Sequence, residues 1–518
     1  MVIQRTLIPS VLFGVGFSWV VYLGLGSLTW PMSYDNWLYA FVGDTIIAGG
    51  VPYRDAWDLK GPLNHYIYGW VRSLLGRSES SIRLVDFCVI VPLFSWQLHS
   101  LQLKLGSKRF GAALAVLLFL VFYFGFGYNW TAEPDDWAAM LILVSVSISL
   151  NTTRTHVVNT IYAAVAMALA ILLKPTYLIF APLLLLPPNK LKAASKENIL
   201  RFLLGSVAMT FIVATFYLWT LRHGGLRELI DAYSFVREDY PRNWLSYSAL
   251  KTFLDILRLV GLVIPYALVP VGIYVILRTG RAAIARMLGV WFFLGILMII
   301  YQNVYWPYEI MSACIPAVVT ISLLVDTLRQ RVSLECRDSQ HCFDGIVFLF
   351  VGCICLSPLI STTFFSTLPW PAYALRLKGT EGYSIRLTEP EERRKDIESI
   401  AAYLTDNTSI NDRVQIWGFQ FGGILLAKRP LATRFGTAWA MIDNTSMKSH
   451  YREIFLQELS VSKPKVMLVD TQLPRLVYDF PQFARFLADH YKLSDMVGLY
   501  QVWIWKAPTG VQSNGSAR

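Results

Sequence analysis

The sequence has few charged residues for its length. Only 16% of its 518 residues are Asp, Glu, Lys or Arg, whereas 55% are hydrophobic and the mean hydropathy is +0.45. A soluble domain carries about 25% charged residues, and many uncharged runs here approach the roughly 20 residues that cross a bilayer as a helix. The composition excludes an ordinary soluble protein and predicts a polytopic α-helical membrane protein.

Cysteine is also scarce, and none lies in the long C-terminal region from about residue 368. That region therefore has no disulfide framework. Cys353 and Cys355 form a CxC pattern within a hydrophobic run, which is more typical of small buried side chains than of metal ligands. The N-terminal apolar run, about 8–30, has no clear small-residue cleavage site, so we interpret it as a retained first span.

Positive charge is missing from two short connectors, 129–137 and 302–309, which contain no Lys or Arg. The net charge of +11 is concentrated in the alternate connectors, as the positive-inside rule predicts for cytoplasmic loops. We predict about 11 transmembrane helices in the range 1–367, with a cytoplasmic N-terminus. An odd number of spans places the C-terminal region outside, on the same face as the first outer loop, 31–86.

Hydrophobic runs end near residue 368, and the pattern changes to alternating helices and strands. Helical spacing is clearest in EPEERRKDIESIAAYLTDN, while RVQIWGF, KPKVMLVDT and YQVWIWK have the composition of strands. We predict an extracytoplasmic α/β domain over 368–508 and a disordered tail over 509–518.

The first outer loop is unusually polar for a membrane connector. It contains Asp35, Asp44, Asp55 and Asp58 beside cations and many Tyr and Trp. Carboxylates can act as bases, cations can hold phosphate, and aromatic faces can stack on sugars. The combination indicates the reaction chamber of a membrane glycosyltransferase.

Asp35 follows the predicted first span within SYDNWLY. A carboxylate that reaches an acceptor hydroxyl or amine in a partly desolvated cleft can act as a general base. A solvated helix cap within an interfacial aromatic belt is the alternative interpretation.

The run GGVPYRDAWDLKGP is the most distinctive part of the loop. Its glycines and prolines favour a shaped turn. Lys60 is the leading candidate for holding a phosphate, with Arg54 as a second cation. The alternative is a surface loop with local ion pairs to Asp55 and Asp58.

Outside this run, acids crowd into NWTAEPDDW, and one lysine interrupts a hydrophobic stretch on the outer side. Glu133, Asp135 and Asp136 are candidates for a second carboxylate site or a weak metal site. Lys174 is a candidate for a lipid phosphate contact, although snorkelling explains it equally well. Further chamber candidates are Asp58, His65 and Tyr308, of which His65 is better explained by packing than by metal binding.

These motifs together resemble bacterial members of the protein O-mannosyltransferase-like family of the glycosyltransferase C superfamily, which includes the aminoarabinose transferases. The resemblance is carried by the Asp after span one, GGVPYRDAWDLKGP, TAEPDD and LLKPTYLIFAPLLLL, with a weaker contribution from DRVQIWGFQFGGILLAKRPLATRF. It implies a glycosyltransferase C fold and inverting transfer of a sugar from a polyprenyl-phosphate donor to an acceptor on the outer face.

The resemblance also implies roles for individual residues. Asp35 corresponds to the proposed base and Lys60 to a phosphate contact, while 133–136 corresponds to the second acidic connector. Two positions depart from the family pattern: Asn36 replaces a frequent second acid, and Gly61 separates Lys60 from Pro62. Some relatives bind a divalent cation and others do not, so we assign no metal ligand.

We therefore expect a glycosyltransferase of the bacterial inner membrane with a lipid-linked monosaccharide donor. The expected partners are a polyprenyl-phosphate sugar, a lipid, glycan or protein acceptor, and the bilayer, with no nucleic acid. A non-enzymatic lipid-sugar binder or flippase, and a polymerase or ligase with a diphosphate-linked donor, are the alternatives. A transporter would carry ionisable residues within its spans, and these are concentrated here at the outer boundary.

Overall fold

The chain folds into two compact units in a computed structural model that describes 17–18, 21–22, 24–28, 32–125, 130–150, 156–185, 196–239, 263–302, 307–335, 390–473 and 475–506. Most of the predicted first span, the predicted eleventh span at about 343–365, the boundary at 367/368 and the tail 509–518 lie outside the described residues. Cys336, Cys342, Cys353 and Cys355 lie outside them as well.

The first unit, called the helical unit here, takes the described residues of Met1–Ser33, Lys60–Trp219 and Tyr240–Arg386. Its elements are nine α-helices within the described residues and one 3₁₀ helix. In chain order they are α2 (Pro62–Leu75), α3 (Ser80–Lys104), α4 (Arg109–Gly125), α5 (Pro134–Ser149), α6 (His156–Leu173), the 3₁₀ helix (Pro175–Leu185), α7 (Lys196–Arg222, whose end belongs to the second unit), α9 (Val263–Arg278), α10 (Ala282–Gln302) and α11 (Pro307–Glu335).

Four helices among the described residues are long and apolar enough to cross a membrane: Ser80–Lys104, Ile199–Arg222, Ala282–Gln302 and Tyr308–Val332. Four shorter apolar helices accompany them. This agrees with a multi-pass membrane protein, whereas the predicted count of about 11 spans is not confirmed by the described part of the chain.

Helix α11 lies at the centre of the helical unit. Within its most apolar window 94% of residues are buried, compared with 11% in α7, so α11 packs on protein while most of α7 faces outward. Helices α4, α5, α9 and α10 all contact α11. A Cβ on Gly295 would lie 2.8 Å from the Cα of Ala313, so this glycine allows α10 and α11 to approach closely.

Two connectors differ from the sequence-based expectation. The polar loop 31–86 contains helix α1 (Tyr34–Ile47), helix α2 and the start of α3. The apolar segment that follows Lys174 is the 3₁₀ helix, Pro175–Leu185, and not a further α-helical span. Helix α3 also has a π-helical turn at Asp86–Ile90.

The second unit, called the mixed unit, takes the described residues of Tyr34–Leu59, Thr220–Asp239 and Leu387–Arg518. Its sheet has the order β1-β2-β4-β3, where β1 and β2 are parallel and the other pairs antiparallel. In chain order its elements are α1, α8 (Leu226–Asp239), α12 (Pro390–Asn407), β1 (Val414–Trp417), α13 (Gly422–Leu426), α14 (Trp439–Ile442), α15 (Lys448–Ser462), β2 (Val466–Asp470), α16 (Leu476–Asp479), α17 (Pro481–His490), β3 (Tyr491–Val497) and β4 (Tyr500–Trp505).

The predicted C-terminal α/β architecture is confirmed as a small sheet with helices, but two parts of the mixed unit were not expected. Strand β3 was missed. The segments 34–59 and 220–239 also belong to this unit, although they lie far from the C-terminal region in the sequence. Trp57 from the first segment and Phe235 from the second pack in the same core as Phe435 and Tyr451, with ring centroids of the Trp57 pairs 5.5–6.0 Å apart.

Candidate active site

A buried lysine between two carboxylates lies at the end of helix α6 in the helical unit. The Nζ of Lys174 lies 2.7 and 2.9 Å from the two carboxylate oxygens of Asp135 and 3.4 Å from Oε1 of Glu309. All three residues are at most 5% exposed. The ammonium group is therefore neutralised by protein carboxylates, and it does not snorkel to an interface. We call these three residues the Lys174 cluster.

Lys60 lies beside this cluster because its loop packs on the end of α6. The amide of Gly61 donates to the carbonyl of Leu173 at 3.0 Å, and a Cβ on Gly61 would lie only 2.2 Å from the carbonyl oxygen of Leu172. Only glycine permits this approach, which explains why Gly61 separates Lys60 from Pro62. The charges of Lys60 and Lys174 both act on Glu309.

The ammonium of Lys60 also lies over the ring of Tyr308, 5.2 Å from its centroid. Tyr308 in turn packs against Trp130, with ring centroids 5.8 Å apart. Lys60 is 6% exposed. A buried cation on an aromatic face close to carboxylates is suited to hold an anionic group that is partly sheltered from water.

The predicted acidic connector forms the N-terminus of α5. Glu133 is the N-cap residue, and the carboxylate of Asp136 accepts a hydrogen bond from its backbone amide at 3.4 Å. Ser33 donates to Glu133 at 3.4 Å, and the hydroxyl of Tyr177 donates to the backbone carbonyl of Asp135 at 2.7 Å. The positive end of the helix dipole favours acids at this position, so their burial has a structural explanation.

A second buried network of hydrogen bonds holds the acidic connector in place. Asp86, on the π-helical turn of α3, accepts hydrogen bonds from Tyr123 at 2.7 Å and from Trp137 at 2.9 Å. The Tyr123 hydroxyl accepts the backbone amide of Ala132 at 3.0 Å. Ala132 has φ of +61°, which is uncommon outside glycine, so this network holds the connector in a strained shape next to Glu133.

Arg83 and Tyr68 complete the same network. Arg83 donates to the carbonyl and the hydroxyl of Thr131 at 3.0 and 2.6 Å, and Tyr68 donates to the carbonyl of Ala132 at 2.9 Å. These side chains are at most 1% exposed. The residues that orient the acidic connector thus come from α2, α3 and α4.

Two buried polar groups of this region lack partners within the described part of the chain. Asn64, in the first turn of α2, is 0% exposed, and neither of its amide atoms has a hydrogen-bond partner there. The second oxygen of Glu309, Oε2, also has none. Buried polar atoms are normally satisfied, so these two groups suit a polar ligand. His65 is 0% exposed on the same helix, in accord with a packed histidine.

The remaining candidates lie in the mixed unit. Asp35 is in the first turn of α1 with intermediate exposure. Asp58 is 1% exposed and accepts a hydrogen bond from the amide of Leu59 at 2.7 Å.

Arg54, also in the mixed unit, forms an exposed ion pair. It donates to both carboxylate oxygens of Asp55 at 2.7 and 2.9 Å and to the carbonyl of His223 at 2.6 Å. These hydrogen bonds lower the pKa of Asp55, and the amide of Val51, 2.8 Å away, adds to the effect. The contacts give Arg54 a structural role, and its predicted role in donor binding stays a prediction.

No group of three or more His, Cys, Asp or Glu side chains suited to a metal ion is found among the described residues. The acids of the predicted second site already have partners: Asp135 pairs with Lys174, and Glu133 and Asp136 cap α5. No metal ligand is assigned.

Sequence reasoning missed Asp86, Arg83 and Asn64 as parts of the site. Asp86 had a usable signal, because it is an acid at the edge of a long apolar run, where ionisable residues are costly. Asn64 had none, since an asparagine beside proline in a polar loop is typical of any turn.

Comparison with known proteins was made through both sequence and structure. No protein-family model matches the sequence, and a comparison with curated protein sequences finds no match. Among solved structures, ArnT from Cupriavidus metallidurans matches with a TM-score of 0.61 and 14% identity, covering 94% of this chain and 97% of ArnT. The chain has the ArnT fold. An ArnT structure bound to undecaprenyl phosphate matches equally well.

A second likeness is to the archaeal oligosaccharyltransferase AglB from Archaeoglobus fulgidus, in complex with an inhibitory peptide and a dolichol-phosphate. Its TM-score is 0.52 with 13% identity, over 94% of this chain and 74% of AglB. ArnT and AglB are both members of the glycosyltransferase C superfamily. The fold that the sequence resemblance implied is therefore confirmed, because the chain shares it with ArnT and AglB.

Proposed function

We propose that the protein is a membrane glycosyltransferase that takes a sugar from a polyprenyl-phosphate donor and transfers it with inversion. The observation that carries this proposal is the pair of buried lysines, Lys60 and Lys174, among carboxylates at the ends of apolar helices. Buried ammonium groups in such a position suit a phosphate whose hydrocarbon chain lies in the bilayer. The shared fold with ArnT, solved with undecaprenyl phosphate, supports the donor class.

The reaction follows from the chemistry of a phosphate leaving group. The acceptor oxygen or nitrogen attacks the anomeric carbon and forms the new glycosidic bond from the face opposite the phosphate. The bond from the anomeric carbon to the phosphate oxygen breaks, and its electron pair leaves with the polyprenyl phosphate. The acceptor proton passes to the carboxylate of Asp35, the general base of this proposal.

Lys60 is the phosphate ligand of this proposal. Its ammonium offsets the charge that grows on the leaving phosphate, which lowers the barrier most effectively in a water-excluded site. The amide of Asn64, which has no hydrogen-bond partner among the described residues, follows Lys60 in the sequence and supplies further hydrogen-bonding capacity for a polar ligand.

Lys174 acts mainly by positioning in this proposal. Its ammonium already has both oxygens of Asp135 and one of Glu309 as partners, so a donor phosphate competes with strong ion pairs for it. Its charge still offsets the carboxylates around Lys60, and this leaves Lys60 as the cation that meets the donor.

The membrane placement belongs to the same proposal. The charge asymmetry of the connectors supports a cytoplasmic N-terminus and a C-terminal region on the outer face of a bacterial inner membrane. Transfer then takes place on that face. The acceptor class is a lipid, a glycan or a protein.

Transfer of a longer glycan is the second candidate, and the likeness to AglB favours it. The chain covers 97% of ArnT but only 74% of AglB. A donor panel separates the two candidates, because a monosaccharide transferase turns over monophosphate-linked single sugars and leaves diphosphate-linked oligosaccharides intact.

Donor binding tests the proposal directly. Undecaprenyl phosphate binding to the full chain in detergent is measured by native mass spectrometry for wild type, Lys60→Gln and the control Lys104→Gln. Lys104 also donates to protein oxygens, at 2.8 Å from the carbonyl of Ser147, but lies outside the site. We expect about a tenfold or greater loss of affinity in Lys60→Gln alone. Equal affinity in all three proteins would contradict the role of Lys60, and no binding to wild type would contradict the donor class.

A further inference from the structure

Helix α1, which bears Asp35, packs against a turn of the C-terminal region within the mixed unit. The turn, called the GFQFGG turn here, comprises Gly418–Gly423 and follows strand β1. Phe419 contacts Tyr34 edge to face with ring centroids 5.3 Å apart, and Phe421 contacts Tyr34 and Phe41 at 6.4 and 6.3 Å. Aromatic side chains on both sides of Asp35 therefore meet the same turn.

Gly422 makes the closest contact between the turn and the helix. A Cβ at this position would lie 2.7 Å from both Cε2 and Nε1 of Trp37. Real Cβ atoms do not approach aromatic carbons this closely. The indole of Trp37 therefore packs directly against the backbone of Gly422. Trp37 is 2% exposed and lies two residues beyond Asp35. Its position fixes the first turn of α1.

The far side of the GFQFGG turn is held just as closely by the sheet and by α12. A Cβ on Gly418 would lie 2.6 Å from Cε1 of Tyr500, and one on Gly423 would lie 2.6 Å from Cγ2 of Ile400. The amide of Gln420 donates to the Tyr500 hydroxyl at 3.2 Å. The turn is thus packed between α1 on one side and the sheet and α12 on the other.

The other end of the segment 34–59 is anchored to the same framework. The amide of Trp57 donates to the carbonyl of Arg434 at 2.8 Å. The Trp57 ring is 2% exposed and lies among Phe235, Phe435 and Tyr451. Both ends of the segment that carries Asp35 are therefore fixed to the C-terminal region.

We propose that the C-terminal region positions Asp35 for catalysis and that Gly422 is the positioning residue through which it does so. The inference rests on the proposed function, because it takes Asp35 as the general base. It assigns the C-terminal region a part in the chemical step in addition to any recognition of the acceptor. A displacement of about 1 Å at a reacting group can lower the rate about 100-fold.

The test is Gly422→Ala in the full chain. The added methyl pushes Trp37 and the first turn of α1, so we expect kcat for sugar transfer to fall about 10- to 100-fold. Undecaprenyl phosphate binding stays unchanged. The double variant Gly422→Ala with Trp37→Phe removes the clashing indole ring, and we expect it to regain most of the lost kcat. A loss of kcat that Trp37→Phe does not restore would overturn the inference.

Hydrogen exchange gives a readout that does not depend on turnover. We expect the amides of α1 to exchange about tenfold faster in Gly422→Ala, while those of the control Gly26→Ala, where a Cβ meets nothing within 4 Å, match wild type. Unchanged exchange in α1 of Gly422→Ala would overturn the inference. If wild type transfers no sugar from any donor, the proposed function fails, whereas exchange still decides whether Gly422 positions α1.

Discussion

Lys174 illustrates how strongly a buried charge depends on its partners. Removing a charge from water costs several kcal/mol, and only well-placed counter-charges offset that cost. Asp135 meets Lys174 through both oxygens, while Glu309 lies 3.4 Å away. Lys174 therefore serves both carboxylates, and its loss would leave two buried acids without their counter-charge.

Lys174→Met is expected to destabilise the protein by about 3–5 kcal/mol because Asp135 would be left buried without its counter-charge. The thermal unfolding midpoint in detergent measures the effect. The double variant Lys174→Met with Asp135→Leu removes both charges and should regain much of the stability. A double variant as unstable as the single one would show that the ion pair is not the cause.

Asn64→Leu is expected to raise the unfolding midpoint while lowering affinity for polyprenyl phosphate. A buried amide without partners costs about 1–3 kcal/mol, and a leucine of similar size avoids that cost. Gln302→Leu is the matched control, because Gln302 is also 0% exposed and both its amide atoms lack partners within the described residues. It should gain stability and bind donor as wild type does. Full donor affinity in Asn64→Leu would remove Asn64 from the site.

Residue chemistry was only partly predictable from sequence. The acids of TAEPDD and Lys174 stood out because they interrupt apolar surroundings, and the structure brings Asp135 and Lys174 together. Their pairing with Glu309 was not predictable, because this contact joins residues 135 positions apart.

At the scale of elements, the packing of the loop between Lys60 and α2 against α6 depends on one glycine, Gly61. Its backbone lies so close to the end of α6 that a Cβ on Gly61 would overlap the carbonyl groups of Leu172 and Leu173. Backbone atoms at a helix end cannot move aside as a flexible side chain can.

Gly61→Ala is therefore expected to displace Lys60 and to lower donor affinity by about tenfold or more. Gly26→Ala is the control, as its Cβ meets open space. Native mass spectrometry with undecaprenyl phosphate compares the two variants. Wild-type affinity in Gly61→Ala would contradict the argument that this close approach positions Lys60.

The turn 50–56 has a pH dependence that follows from its ion pair. Arg54 lowers the pKa of Asp55 below its usual value, so the stabilisation is complete above about pH 4 and is lost as the pH falls through the lowered pKa. Both side chains are more than one third exposed, so the contribution is below about 1 kcal/mol. The difference in thermal unfolding midpoint between wild type and Asp55→Asn should be largest at neutral pH and should shrink towards pH 3. A difference that grows on acidification would contradict this sign.

Elements with strong periodicity were predictable and irregular ones were not. The helical spacing in 389–407 and the apolar runs at 414–417 and 466–470 correspond to α12, β1 and β2. Strand β3 was missed because most of its residues are exposed, so it has no apolar alternation. Helix α1 was missed because the whole stretch 31–86 was interpreted as one polar loop, although most residues of the helix itself are apolar.

For the whole molecule, composition was enough to predict the membrane class, and the motifs were enough to predict the fold that ArnT shares. The sequence did not predict which segments form the mixed unit. Its core joins Trp57, Phe235 and Phe435, which lie in three distant parts of the sequence, and local patterns do not encode which distant segments pack together. Trp57 also fixes the end of the segment 34–59, which carries α1, to the C-terminal region.

The most direct test of the central claim is mass spectrometry of sugar release and transfer from a panel of polyprenyl-phosphate sugars, with wild type beside Asp35→Asn. The account predicts that wild type transfers or releases sugar from at least one monophosphate donor and that Asp35→Asn, which cannot accept the proton, does not. Equal turnover by both proteins would contradict the role of Asp35. Donor binding without turnover in either protein, across the full panel and with lipid, glycan and peptide acceptors present, would contradict the glycosyltransferase and favour a lipid-sugar binder.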